Sequence, residues 1–196
     1  MTSSNQTKHE SKNPVQRRLI RRFHTAAIAM LRRTGARTIL DLGCGEGFVL
    51  AEIANHNLGA ELTGIDRSPH AVLSARSRLG SRAQIDQADA RDLLEGGRRY
   101  DCVMMLEVLE HIPDPAAMLP ILERLTTSHL LLSVPREPYF CAINLLRGKN
   151  VRCWGNDIDH VNHWSQNSFR RFAELRFDII EMPAVFPWTM ILAKKK

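Results

Sequence analysis

The segment TILDLGCGEGF at residues 38–48 constrains the fold of this chain more than any other feature. It places Gly43, Gly45 and Gly47 directly after a short apolar run. Glycine at such a position lets another molecule approach the main chain, and a helix that follows offers N–H groups at its N-terminus. An alternative is a glycine turn that only fits a helix to a strand. The segment predicts a strand, a tight loop and a helix that together hold a nucleotide-like ligand.

Short β-rich runs alternate with helical segments through the middle of the chain. Strands are predicted over 38–42, 60–66, 84–88, 100–106 and 129–134, and helices over 47–56, 69–79 and 115–125. Such alternation is typical of βαβ units, which build a parallel sheet with helices on both faces. Two further strands, over 177–182 and 188–193, are joined by the link PAVFP, which is too short for a crossover and therefore predicts an antiparallel pair.

The domain organisation follows from the length of 196 residues, which suits one domain. A disordered tail is predicted over 1–14, and a single domain over 15–196. Within it, apolar residues recur every four positions over an N-terminal amphipathic helix at 15–34. The segment 136–164 breaks the alternation, and a helix over 165–175 follows it.

Composition predicts a cytoplasmic location. Hydrophobic residues make up 44% of the chain, but no apolar stretch reaches the length of about 20 residues that a membrane helix needs. The polar N-terminus lacks the apolar core of a secretory signal. The four cysteines are scattered without a CxxC pair and are interpreted as reduced thiols: Cys44, Cys102, Cys141 and Cys153.

The net charge of +6 leaves the partner open. Arginines crowd the N-terminal helix at positions 17, 18, 21, 22, 32 and 33, and three lysines end the chain. Such a charge can attract nucleic acid, anionic lipid or an acidic substrate. We favour a solvated helix face and a frayed tail, because no aromatic residues interleave the arginines as single-strand binding requires.

An acid precedes the glycines and distinguishes two kinds of ligand. Asp41 stands two residues before Gly43, and the spacing is DxGxGxG. A dinucleotide fingerprint would be GxGxxG, but Phe48 stands where its third glycine is needed. The spacing therefore favours a cofactor other than a nicotinamide dinucleotide.

With these residues the chain resembles the class I S-adenosylmethionine-dependent methyltransferases, and within them the type 11 group. The matching motifs lie within residues 36–135 and are Asp41–Gly47, Gly64–Asp66, Ala88–Ala90 and Tyr100–Pro113. The resemblance implies a Rossmann-like α/β fold. Its seven-stranded sheet would have five parallel strands plus a C-terminal antiparallel pair, with helices on both faces. It also implies S-adenosyl-L-methionine as cofactor and S-adenosyl-L-homocysteine as product.

The resemblance implies that the first strand and its loop hold the amino-acid tail of this cofactor. Gly43, Cys44 and Gly45 would meet the tail carboxylate with backbone N–H groups. Asp41 would face the tail ammonium. Leu106, at the end of the fourth strand, would line the methionine side. The resemblance also implies that Phe23 or its neighbours on the N-terminal helix face the ligand, and that the segment 136–164 is an insertion on the substrate side.

Acids at the ends of the next two strands are implied to hold the nucleoside. Asp66 would accept hydrogen bonds from both ribose hydroxyls. Asp89 would take the adenine amino group, and Ala90 would offer backbone beside the ring. The alternative for either acid is a helix cap or a turn.

Methyl transfer from a sulfonium is an in-line displacement that depends mainly on positioning the acceptor. A base is required only when the acceptor loses a proton. His111 and Glu107 are the catalytic candidates. If residues 107–111 form a helical turn, Glu107 and Glu110 share one face, and His111 lies on the side of Glu107.

The same residues leave a metal site open. Glu107, Glu110, His111, His160 and His163 are candidate ligands for a divalent metal. A similar ExxEH is found with metal in small-RNA 2′-O-methyltransferases and ubiquinone-pathway O-methyltransferases, but the motif also occurs in type 11 enzymes in which no metal is implied. We therefore do not favour the metal, and a turn that these side chains merely cap stays open too.

Three functions follow from the resemblance. The first is an enzyme that methylates a small-molecule acceptor, at oxygen in preference to nitrogen or carbon. The second is an RNA 2′-O-methyltransferase with a Glu/Glu/His metal site. The third is a non-catalytic module that binds the cofactor and regulates a partner. The sequence identifies neither the acceptor nor the oligomeric state.

Overall fold

The computed structural model describes residues 13–137, 139 and 160–196. Apart from residues 13 and 14, the predicted tail over 1–14 lies outside this part. Residues 138 and 140–159 of the predicted insertion over 136–164 lie outside it as well. Cys141 and Cys153 fall in that range.

The fold is built on one sheet whose described strands number eight. Their bounds are β1 Thr38–Leu42, β2 Glu61–Asp66, β3 Gln84–Gln87, β4 Tyr100–Leu106, β5 Thr126–Pro135, β6 Phe177–Glu181, β7 Ala184–Val185 and β8 Trp188–Lys195. The order is β3-β2-β1-β4-β5-β8-β6, and β7 pairs with β8. The pairs from β3 through to β5 are parallel, whereas β8 runs antiparallel to both β5 and β6. The predicted Rossmann-like α/β fold is confirmed.

Helices connect the parallel strands. Their bounds are α1 Pro14–Thr34, α2 Phe48–Asn55, α3 Pro69–Leu79, α4 Ala90–Glu95, α5 Met118–Leu125 and α6 Gln166–Glu174. Short 3-10 helices cover Gly80–Arg82, Leu109–His111 and Pro115–Ala117.

Two elements differ from the sequence-based prediction. The link PAVFP contains the two-residue strand β7, which pairs Ala184 with Thr189 and Val185 with Trp188 and gives the sheet its eighth strand. The helix α4 follows Asp89, whose side chain accepts a hydrogen bond from the Arg91 N–H. At six residues, α4 is too short to display a helical period.

Both faces of the sheet are covered, and the alternation of side chains along a strand separates two cores. On one face Met104 of β4 packs with residues of α1, α2 and α3. On the other face Met105 packs with residues of α4, α5 and α6. Both methionines are fully buried. Because the central strands are enclosed in this way, the carboxyl ends of β1, β2 and β4 are fixed relative to one another.

The helix α1 begins at Pro14, one residue before the predicted start, and ends at Thr34 as predicted. Asn13 caps it by accepting from the Val15 N–H at 2.9 Å, Pro14 occupies its first turn, and Gly35 ends it in a left-handed conformation. Ile20 and Phe23 are buried, whereas the arginines stay exposed. The helix therefore lays its apolar side on the sheet and turns its charge to solvent.

Candidate active site

A cavity of about 370 Å³ opens at the carboxyl ends of β1, β2 and β4. Its walls combine residues of the loop after β1, the end of β2, the segment after β4, α1 and β8. They are Ile20, Phe23, Asp41, Gly43, Cys44, Gly45, Glu46, Phe48, Val49, Asp66, Ser68, Ala71, Leu106, Glu107, Val108, His111 and Trp188. Ligands of open α/β sheets bind at this edge. Phe23 and Ile20 of α1 lie on the wall of this cavity, and the expected contact of Phe23 or its neighbours with a ligand stays a prediction.

The glycine loop can form only because two of its positions lack side chains. Gly43 has a φ of +82°, and a Cβ there would lie 2.6 Å from Cγ2 of Val108. Gly47 has a φ of +76°, and its Cβ would lie 3.1 Å from that of Ala75 in α3. Both positions combine a left-handed backbone with close packing, which suits glycine alone. The glycines thus bring the loop against its neighbours and leave the cavity open.

Hydrogen bonds tie this loop to the end of β2. The N–H groups of Gly43 and Cys44 both donate to the carbonyl of Ile65, each at 2.9 Å. The Gly45 N–H donates to Oδ2 of Asp66 at 2.9 Å. A ligand carboxylate that met these N–H groups would compete with those acceptors, and the contact stays a prediction.

Asp66 presents its carboxylate at the cavity with both oxygens anchored. Oδ2 accepts from Gly45, and Oδ1 accepts from the Ser68 N–H at 2.8 Å. A carboxylate oxygen can accept more than one hydrogen bond. The position fits the predicted ribose contact, which stays a prediction.

Asp41 is a buried acid of the site with a perturbed pKa. It is 3% exposed, and burial, followed by the charge of Asp66, raises its pKa to about 7. Burial disfavours the charged form of a carboxyl, and a neighbouring negative charge disfavours it further. A cationic ligand group beside Asp41 would reverse that effect, as the predicted contact with an ammonium requires.

Asp89 and Ala90 lie at the start of α4. Asp89 forms a capping box with Asp92, whose Oδ2 accepts from the Asp89 N–H at 2.8 Å, and Ala90 is buried. Among the described residues around the cavity, neither is a wall residue. The alternative of a helix cap is therefore realised for Asp89, and the adenine contacts of Asp89 and Ala90 stay predictions.

The expected geometry of the segment after β4 is wrong in one respect. Glu107 has a left-handed backbone with a φ of +59°, and the 3-10 helix begins only at Leu109. Glu107 is thus outside the turn, and it does not share a helical face with Glu110. Its carboxylate accepts instead from the Trp188 indole N–H at 2.6 Å and from the Ser133 hydroxyl at 3.2 Å. Glu107, His111 and the preceding Leu106 still line the cavity.

Three of the five candidate metal ligands come together. One ligand atom from each of Glu110, His111 and His160 lies within 4.8 Å of the other two. The rings of His111 and His160 are 5.0 Å apart. Glu110 is 1% exposed, and its backbone carbonyl accepts from the N–H groups of Val161 and Asn162. These backbone hydrogen bonds bring His160 to the turn after β4.

The other two candidates lie elsewhere. His163 is 3.9 Å from Glu137, measured from Nδ1 to Oε1. Glu107 is held by Ser133 and Trp188. In the part of the chain that the structure describes, the group suited to a cation is Glu110, His111 and His160.

Trp188 is one of the wall residues of the cavity that the sequence did not reveal. It begins β8, more than 80 positions after Glu107, and its ring packs against Phe23 at 5.0 Å between centroids. A tryptophan at the start of a terminal strand looks like an ordinary core residue.

The described helices include none with the length and apolar character to cross a membrane.

A family model described as "Methyltransferase domain" matches residues 12–176. Curated relatives include ubiquinone biosynthesis O-methyltransferases. The one from Azorhizobium caulinodans is 36% identical over 99 residues, which are 49% of this chain and 38% of that protein. The one from Cereibacter sphaeroides is 36% identical over 122 residues, which are 59% of this chain and 49% of that protein. The chain spans less than half the length of these relatives.

Solved structures share the fold. Magnesium protoporphyrin IX methyltransferase from Synechocystis, with bound S-adenosylhomocysteine, has a TM-score of 0.70 and 21% identity over 94% of this chain and 88% of its own. A protein from Pyrococcus horikoshii has a TM-score of 0.73 and 17% identity, and the match covers 97% of this chain and 95% of that one.

Proposed function

The chain belongs to the methyltransferase-domain family, as a class I S-adenosylmethionine-dependent methyltransferase, and on that premise we propose that it methylates an oxygen of a small molecule. The observation that carries the proposal is the convergence in one cavity of the glycine loop, two acids, and Glu107 with His111. The glycine loop and the two acids suit a cofactor with a charged tail and a ribose. Glu107 and His111 suit an acceptor that loses a proton, as a hydroxyl does. The O-methyltransferase names of the curated relatives support oxygen as the methylated atom.

The cofactor is proposed to lie across the carboxyl ends of β1, β2 and β4. Asp41 faces its ammonium, and the loop from Gly43 to Gly45, with Cys44, lies along its amino-acid tail. Asp66 holds the ribose hydroxyls, and Leu106 contacts the methionine side. These six positions line the same cavity, which supports one continuous site. Asp89 and Ala90 are proposed to reach the adenine from its rim.

The acceptor is proposed to approach from the segment 136–164. Its described C-terminal end supports this, because His160 packs against His111, which lines the cavity. S-adenosylmethionine carries an activated methyl group, so alignment of the acceptor supplies most of the acceleration. Glu107 or His111 then takes the hydroxyl proton.

Glu110, His111 and His160 fit a divalent cation, since one carboxylate and two imidazoles form a common mixed donor set. A bound cation would lower the pKa of an acceptor hydroxyl beside it. Titrating the free protein with Mn²⁺ in a calorimeter tests this fit without any acceptor. Mn²⁺ binding by the wild type that is lost in His160→Ala supports a cation site at these residues. Heats of titration that are the same for the two proteins contradict it.

RNA is a second candidate acceptor, supported by the exposed arginines of α1 near the cavity. Arg17, Arg18, Arg21 and Arg22 are exposed, while Ile20 and Phe23 of the same helix line the cavity. If the arginines track phosphates, affinity for an RNA oligomer falls steeply as salt is added. A response that is flat in salt removes this candidate.

Formation of product separates an enzyme from a module that only binds the cofactor. The protein is incubated with S-adenosylmethionine and fractions of a cell extract, and S-adenosylhomocysteine is measured. Accumulation above that of Asp66→Ala supports turnover. If the protein binds the cofactor but no fraction yields S-adenosylhomocysteine, the proposed activity is contradicted and a regulatory module is supported.

A further inference from the structure

The Glu107 carboxylate is held by two donors from different strands. Trp188 donates its indole N–H to Oε2 at 2.6 Å, and Ser133 donates its hydroxyl to Oε1 at 3.2 Å. Each donor thus engages a different oxygen, which fixes both the position and the rotation of the carboxylate. Hydrogen bonds to an ionised acceptor are stronger than neutral ones. Packing a tryptophan into a core does not require these hydrogen bonds, so they indicate a role in holding the carboxylate.

The sheet places these three residues side by side. In the register, Leu106 of β4 pairs with Ser133 of β5, and Pro135 of β5 pairs with Trp188 of β8. The Glu107 N–H donates to the Ser133 carbonyl at 3.1 Å, which extends the pairing one residue past β4. The carboxylate is therefore anchored to three adjacent strands of the sheet.

The tryptophan is itself immobilised. Trp188 is 5% exposed, and its ring meets that of Phe23 edge-on, with the ring planes at 61°. Phe23, Trp188 and Glu107 line the same cavity. The indole thus has a fixed ring and a single N–H, which donates to the Glu107 carboxylate and not to the Glu110–His111–His160 group.

The backbone of Glu107 supports the same orientation. Its left-handed conformation is uncommon for a residue with a side chain, and it carries an energetic cost that the surroundings must offset. That conformation separates Glu107 from the 3-10 turn that contains Glu110 and His111. The hydrogen bonds from Trp188 and Ser133 stabilise an orientation of the Glu107 side chain that depends on this unfavourable backbone conformation.

We propose that Trp188 is a positioning residue, which together with Ser133 aims the Glu107 carboxylate into the cavity, at the acceptor. This inference rests on the proposed methyl transfer and adds to it the residue that sets the geometry of Glu107. Each oxygen of an ionised carboxylate can accept more than one hydrogen bond, so the bonds from Trp188 and Ser133 are compatible with a further one from an acceptor hydroxyl. Trp188 acts only through Glu107 and does not touch the reacting atoms.

The first test uses the free protein labelled with ¹⁵N. The Trp188 indole N–H is expected far downfield and protected from exchange, and Glu107→Gln should move it upfield. Trp164→Phe is the matched control for the assignment, since the Trp164 indole nitrogen is buried and has no acceptor among the described residues. If the chemical shift of the Trp188 indole N–H is unchanged in Glu107→Gln, the proposal is overturned, whether or not any methyl acceptor is found.

The second test measures turnover with catechol as the probe acceptor. Trp188→Phe keeps a ring against Phe23 and removes the N–H. It should lower kcat about tenfold and leave the dissociation constant for S-adenosylhomocysteine unchanged, because Glu107 is placed on the acceptor side. Ser133→Ala should lower kcat in the same sense, and Ser133→Thr, which keeps the hydroxyl, should restore it. A Trp188→Phe protein with the kcat of the wild type overturns the proposal.

A double-mutant cycle decides whether Trp188 acts through Glu107. In the Glu107→Gln background, Trp188→Phe should change kcat less than twofold. A full tenfold loss in that background means that Trp188 has a separate role, and overturns the proposal. If the wild type fails to turn over catechol and every extract fraction, the proposed function fails instead, and the indole signal still decides the contact between Trp188 and Glu107.

Discussion

Gly45 and Asp66 are joined by a hydrogen bond of 2.9 Å, from the Gly45 N–H to Oδ2 of Asp66. The bond links the loop after β1 to the end of β2, which are the two elements assigned to the cofactor. Because Asp66 also accepts from Ser68, its carboxylate is set in place before any ligand arrives. The site is thus preorganised at the point where the ribose is proposed to bind.

Asp66→Ala should weaken S-adenosylhomocysteine binding by roughly a hundredfold, because it removes an ionised acceptor and frees the loop. Calorimetry measures the dissociation constant. Asp86→Ala is the matched control, since Asp86 lies on β3 outside the cavity, forms surface ion pairs with Arg76 and Arg98, and accepts a hydrogen bond from the Gln84 side chain. Equal affinities for the two variants would remove Asp66 from the cofactor site.

Gly43→Ala should destabilise the protein strongly. The new Cβ would meet Val108 at 2.6 Å on a left-handed backbone, so we expect a loss of about 2–4 kcal/mol in the free energy of unfolding. Gly59→Ala separates the two causes, because Gly59 has a φ of +70° but open space around its Cβ, and it should cost about 1 kcal/mol. Chemical denaturation measures both. A Gly43 variant no less stable than the Gly59 variant would contradict the close packing of the loop.

The stability of the free protein should fall as pH rises because of Asp41. Its pKa is raised from 3.8 to about 7 on folding, so the folded state holds the proton more tightly than the unfolded state. The stabilisation that comes from the proton on Asp41 is fully present below about pH 4 and is lost as pH rises through 7. The contribution is on the order of 4 kcal/mol. In Asp41→Asn this component should be absent, and a variant whose stability depends on pH as the wild type does would contradict the assignment.

Cofactor binding should release a proton near pH 6.5. An ammonium placed beside Asp41 favours its ionised form and lowers its pKa. S-adenosylhomocysteine affinity should therefore increase as pH rises from 5.5 to 7.5, and calorimetry in buffers of different ionisation enthalpy should detect the released proton. Asp41→Asn should bind more weakly and release none. Proton uptake by the wild type, or release retained in the variant, would place the ammonium elsewhere.

Local sequence patterns predicted most of the sheet and the glycine loop that borders the cavity. The strand over 38–42, its glycine loop and the helix over 69–79 were predictable because apolar runs, glycines and a Ser-Pro cap act within a few residues. Asp66 was predictable because the end of a parallel strand always faces this edge.

The acceptor end depends on contacts between distant parts of the chain. The spacing of Glu107 and Glu110 suggested a shared helical face, but the left-handed backbone at Glu107 and the indole of Trp188 turn its side chain elsewhere. His160 reaches His111 through backbone hydrogen bonds that Val161 and Asn162 donate to Glu110. Such contacts join residues about 50 to 80 positions apart and leave no periodic pattern in the sequence.

The central claim is that S-adenosylmethionine binds across the carboxyl ends of β1, β2 and β4. A crystal structure of the protein grown with S-adenosylhomocysteine tests this most directly. We predict density for the whole molecule in the cavity, with the ammonium beside Asp41 and the ribose hydroxyls on Asp66. Density for the compound at another place, or an empty cavity in crystals saturated with it, would contradict the account.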